Sequence, residues 1–200
     1  MTRATILILT IFLTINIYGQ DKIRPILWFG PADNVTVYGI NLSPFVYKTP
    51  VNSVINGINI EGIGMPFFLF MIPNGPNIQT DTFTIGKEFN INGINIAPAG
   101  IIQTGTVNGA AITVLYSLID QVNGAELSLF FNNTFKLNGL SVSCINSTVE
   151  LNGIQIGLLN EAKRTKGLQI GVLNKTRKMK GLQIGFWNIN EKRKLPIINW

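Results

Sequence analysis

The chain has 200 residues, of which 46% are apolar and 13% charged, with one cysteine, no histidine and a net charge of +6. This composition excludes a disordered or acidic solvating chain and is enough for one ordinary domain. Without histidine there is no Ser-His-Asp or Cys-His nucleophile and no common zinc site, and a lone Cys144 makes neither an internal disulfide nor a metal cluster.

Residues 1–20, MTRATILILTIFLTINIYGQ, place Arg3 before an apolar run from Ala4 to Ile17 and then the small residue Gly19. That order describes a secretory signal peptide, and the run is too short for a retained spanning helix. Export is therefore expected, with residues 21–200 forming a single β-repeat domain that is stable without disulfides. The next apolar stretch, GMPFFLFMIP from Gly64 to Pro73, is also too short to span a bilayer as a helix. It lacks repeat character and marks residues 62–84 as an insertion.

The rest of the chain repeats. An anchor glycine, usually preceded by Asn, recurs at Gly39, Gly57, Gly93, Gly109, Gly124, Gly139, Gly153, Gly167 and Gly181, with spacings of 18, 36, 16, 15, 15, 14, 14 and 14. Self-similarity at such a period signals a stacked architecture. After each anchor the residues alternate, with Leu140, Val142 and Cys144 opposite Ser141 and Ser143, and Ile154, Ile156 and Leu158 opposite Gln155 and Gly157. This is the period of a strand with one apolar face.

Before the anchor the alternation has the other phase, with Phe135 and Leu137, or Val149 and Leu151, as the apolar set. The swap implies a bend at Asn-Gly, a dipeptide that tolerates positive φ. About three residues before the anchor and six after it make poor hairpin partners, but they suit the short and long strands of a coil. The expected fold is all-β, short strands at a 14–18 residue period, with a β-solenoid preferred to an antiparallel outer-membrane β-barrel. Stacked coils predict amide ladders through Asn132, Asn146, Asn160, Asn174 and Asn188, and through Gln155, Gln169 and Gln183. The barrel alternative rests on the same alternation and on the terminal aromatic Trp200.

The run from Asn152 to Trp200, with NGIQIGLLN, KGLQIGVLN and KGLQIGFWN followed by a basic connector and LPIINW, resembles bacterial surface-repeat proteins built from GLQIG-N units. The resemblance implies an exported, envelope-associated protein of no established activity, and it supplies no catalytic or binding residues.

Ten of the sixteen Lys and Arg fall between residues 161 and 194, opposed only by Glu161 and Glu191. Lys163, Arg164, Lys166, Lys175, Arg177, Lys178 and Lys180 form a candidate contact for an anionic surface, with a glycan, a lipid or another surface protein as partner. No aromatic platform is interleaved with them, which argues against nucleic acid. Glu61, Asp81, Glu88, Asp120, Glu126 and Glu150 fall in unrelated columns, select no catalytic pair and are expected on the solvated surface. Cys144 is expected to be a small buried hydrophobe, and residues 189–200, with Trp187 and Trp200, a cap. The expected function is an exported cell-surface or outer-membrane repeat protein with a structural or adhesive role, no catalysis and no cofactor. The alternative is an integral barrel acting as a narrow pore.

Overall fold

The computed structural model describes residues 23–29, 34–46, 52–64 and 89–200. The expected leader (1–20) and nearly all of the apolar stretch 64–73 lie outside these residues.

The ladder runs in chain order through β1 (Ile23–Phe29), β2 (Thr36–Val46), β3 (Ser53–Gly64), β4 (Phe89–Ala97), β5 (Ile101–Thr113), β6 (Tyr116–Leu127), β7 (Phe131–Val142), β8 (Ile145–Ile189) and β9 (Lys194–Asn199). Each neighbour from β1 to β8 pairs in parallel, and from β2 onward anchor lies opposite anchor: Gly39 with Gly57, Gly57 with Gly93, and so on to Gly139 with Gly153. β3 pairs directly with β4, so no further coil is stacked between Gly57 and Gly93. β8 alone holds 45 residues. Drawn out straight it would reach about 150 Å. Instead it winds, because Gly167 lies against the backbone of Gly153 and Gly181 against that of Gly167.

This is a β-solenoid, as the period predicts. The barrel alternative is overturned: closing an antiparallel barrel needs neighbours that alternate in direction, and among the described strands only β9 runs against its neighbour, with Gln183 opposite Asn199. A tight turn makes this reversal, with the backbone N–H groups of Lys192 and Arg193 both donating to Asn190 Oδ1 at 2.9 Å. The side chain of Asn199 then donates to Gln183 Oε1 at 3.2 Å, covering the end of an interior ladder. Trp200 stacks under the Arg193 guanidinium at 4.3 Å, and both it and Trp187 stay exposed.

The location of the bends differs from the sequence reading. Burial alternates without a break through Asn-Gly: Leu137 and Ser141 are buried on either side of Gly139, and Leu151 and Gln155 on either side of Gly153. The breaks fall between Gly157 and Asn160 and between Ala162 and Thr165, and recur in neighbouring coils. Each short coil therefore has a long strand with its anchor near the middle, a corner, a strand of about three residues and a second corner.

The anchors must be glycine for two reasons. Gly139 has φ of 143°, a region that side chains rarely adopt, and a Cβ there would collide with the carbonyl oxygen of Gly124 one coil away. Stacking at about 4.8 Å leaves no room for it.

Candidate functional site

Positions can be counted from each anchor glycine as zero. Burial then puts positions −2 and +2 inward and −1, +1, +3 and +5 outward along the long strand.

The inward −2 column is apolar over most of its length: Val37, Ile55, Ile91, Val107, Val122, Leu137 and Leu151. The inward +2 column is mostly polar, with Asn41, Asn59, Asn95, Ala111, Glu126, Ser141, Gln155, Gln169 and Gln183 all buried. Most of their polar groups are satisfied by neighbours in the stack, although Asn41 Oδ1 at its N-terminal end has no partner among the described residues. Gln183 donates to Gln169 and Gln169 to Gln155, each at 2.8 Å. Across the interior, Asn146 donates to Asn160 and Asn160 to Asn174 at 2.8 Å, and Asn174 to Asn188 at 2.7 Å. Both expected ladders are present. The Asn132 rung marks the start of one, because Ser117 occupies that column in the coil before and donates its hydroxyl to Glu126 instead. Asn132, Asn146 and Asn174, which carry glycosylation-like triplets, are buried in this ladder.

Two carboxyls expected on the surface are interior. Glu126 is 1% exposed and accepts hydrogen bonds from Ser117 Oγ and Thr134 Oγ1. Burial pushes its pKa up to about 7, outweighing those hydrogen bonds. Glu61 is also buried, accepts from Asn59 Nδ2 at 2.6 Å, and is raised to about 7 by the same cause. Cys144, expected to be buried, is a free thiol of intermediate exposure in the outward +5 column.

The outward face is where the apolar residues went. Position +3 carries Leu42, Ile60, Ile96, Ile112, Leu127, Val142, Ile156, Ile170 and Ile184, a branched aliphatic at every rung, none of them buried. Position +1 is likewise aliphatic, from Ile40 and Ile58 through Ala110, Ala125 and Leu140 to Ile154, Leu168 and Leu182. Position +5 adds Val114, Leu129, Leu158, Val172 and Phe186, the last 78% exposed. Nine rungs at the spacing of paired strands make the face about 38 Å long.

Position −1 edges this face with an outward amide ladder. Asn92 donates to Asn56, Asn108 to Asn92, Asn123 to Asn108, Asn138 to Asn123 and Asn152 to Asn138, at 2.7–2.9 Å. In the next two coils the column becomes Lys166 and Lys180.

The seven candidate cations do not share one patch. Lys163, Arg164, Arg177 and Lys178 occupy the corner after the short strand, where Arg164 pairs with Glu150. Lys175 lies outward on the short strand and meets Glu161 at 2.9 Å. Lys166 and Lys180 alone stand in the row of the aliphatic face, and neither has a carboxylate partner among the described residues. The aliphatic columns are the part of the site that sequence reasoning missed. Their signal was present in the polar residue that recurs at +2, opposite in phase to the apolar +1 and +3.

No protein-family model, curated protein or solved structure matches the chain.

Proposed function

We propose that this is an exported, non-catalytic β-solenoid of the bacterial cell surface or outer membrane, whose outward sheet face is a structural or adhesive contact surface. The observation that carries the reading is the uninterrupted aliphatic +3 column. Together with the +1 and +5 columns beside it, this face covers roughly 500 Å² in projection, at the upper end of what monomeric soluble proteins expose, and patches of that size mark interaction sites. The leader-like residues 1–20 support export, as does the resemblance to GLQIG-N surface repeats. A non-catalytic role agrees with the absence of histidine and with the two buried carboxyls lying in different coils, each hydrogen-bonded to interior neighbours. An extended repetitive face suits an extended partner.

Fractionation of the producing cell is the test. The mature chain should start near residue 20 and be retained with the envelope. Substituting Ile156→Asn, Ile170→Asn and Ile184→Asn together should release it while circular dichroism keeps its β signature. Retention of that folded variant at the unsubstituted level would refute a contact role for the face, and an intact leader on cytoplasmic protein would refute export.

A further inference from the structure

We infer that the C-terminal end of this face docks flat on an anionic phospholipid bilayer, with the aliphatic columns in the acyl boundary and Lys166 and Lys180 at the phosphate level. The inference rests on the contact-face reading and names its partner.

The first argument is a local conflict. From Asn56 to Asn152 the −1 column gains a hydrogen bond at every step. Continuing it with Asn would have extended the ladder. The chain instead places two lysines on successive rungs, and like charges directly opposite on paired strands are destabilising. A feature that weakens the fold without local compensation points to work done outside it.

The second argument is complementarity. Outward from the two last coils run the rows Lys166, Leu168, Ile170, Val172 and Lys180, Leu182, Ile184, Phe186. A cation followed by apolar residues on one surface is the pattern of an interfacial element, in which lysine stems lie along apolar surface and their ammonium groups reach the headgroups. A glycan would meet no polar donor at +1, +3 or +5. A second copy would bring the same lysines and no carboxylate, because no acidic residue occupies an outward position between −1 and +5 on any rung. Anionic lipid supplies both the apolar layer and the negative charge.

Co-sedimentation of the purified protein with vesicles tests this. Binding is expected to vesicles of phosphatidylcholine with about one-third phosphatidylglycerol, and to weaken as salt rises from about 0.1 to about 1 M and screening shortens. Pure phosphatidylcholine should bind weakly. The double variant Lys166→Gln/Lys180→Gln should lose roughly thirtyfold in partitioning, from the attraction each lysine contributes at such a surface. Ile170→Asn/Ile184→Asn should lose binding altogether, with the β signature retained as the control for folding. Trp187 emission, isolated by subtracting a Trp187→Phe variant, should shift to the blue on phosphatidylglycerol vesicles only. Equal binding to both vesicle types, or full binding by the lysine variant, overturns the inference. A dimer in sedimentation that Ile170→Asn/Ile184→Asn dissociates, without vesicle binding, overturns the lipid but leaves the contact face standing. Undiminished envelope retention of the triple isoleucine variant in the cell would remove the contact face itself.

Discussion

The two halves of the solenoid share an exterior and differ in what they enclose. Around Gly109 the inward residues are Ile101, Val107, Ala111 and Thr113, and Ile119 and Val122 lie one coil on. Around Gly167 they are Asn160, Ala162, Thr165 and Gln169. The spacing between anchors falls over the same span from 16 to 14 residues. A shorter coil has a thinner interior, and small amides that bond along the axis fill it where branched aliphatics from two walls would not both fit. The exterior does not follow this change. Its +3 column keeps a branched aliphatic at all nine rungs while the +2 column beside it passes through Asn, Ala, Glu, Ser and Gln. A surface held constant while the core beneath it changes is held for a reason other than folding.

The most severe way to break the comparison is at the join. Gly153→Ala places a side chain at φ of 149° and into the carbonyl oxygen of Gly139, in a column clamped on both sides. A loss of more than about 4 kcal/mol is expected, the range reserved for strained backbone and overpacking combined. Limited proteolysis should then find the coils on both sides of residue 153 cleavable. Within the aliphatic half, Leu137→Ala should cost about 3 to 4 kcal/mol, since Leu137 is fully buried and its column partners Val122 and Leu151 are fixed by the ladder. Urea unfolding measures it.

How far this was legible in the sequence depends on which property is asked. The period and the Asn and Gln ladders follow from spacing alone, because stacking at a fixed repeat brings identical residues together whatever lies inside. The sign of the two faces does not follow. Alternation shows that Leu168, Ile170 and Val172 share one side, and ordinary hydrophobic reasoning turns that side inward. A parallel, in-register stack offers the opposite solution, since Gln155, Gln169 and Gln183 can satisfy one another along the axis and occupy the interior. The swap of apolar phase at Asn-Gly is thus a change of side for the apolar residues, not a bend of the chain. The cations read as one edge because they are close in sequence. The corner between Ala162 and Thr165 separates Arg164 from Lys166, and position within a coil is invisible until the corners are placed.

The N-terminal half also carries a titration. Glu126 and Glu61 have folded pKa values raised by burial from 4.5 to about 7. Between those values the unfolded chain has released the proton that the folded chain keeps, so stability falls as pH rises through the window and levels off above it. Up to about 3 kcal/mol per carboxyl is at stake by linkage. Asp120 is raised in the same direction. Thermal melts should therefore give a higher Tm at pH 5 than at pH 8. Glu126→Gln should flatten the profile, with Glu61 and Asp120 supplying the residual slope, and should exceed the unsubstituted chain in stability at the higher pH. An unchanged slope in that variant would show that Glu126 titrates as an exposed carboxyl does.

The smaller effects separate interior amides from exterior charges. Asn160→Ala removes the acceptor of Asn146, the donor to Asn174 and the hydrogen bond to the carbonyl of Ile170. Leaving such buried groups unpaired should cost about 2 kcal/mol, comparable to a modest cavity in the aliphatic half. Arg164→Gln removes only a solvent-exposed ion pair with Glu150, and a change below about 0.5 kcal/mol is expected. Urea midpoints for both variants should differ accordingly while the m-value stays constant. If Asn160→Ala were as mild as Arg164→Gln, the amide ladders would be passengers in the C-terminal coils. The backbone ladder and the aliphatic exterior would then be what holds those coils together, and burying that exterior against a partner would add directly to their stability.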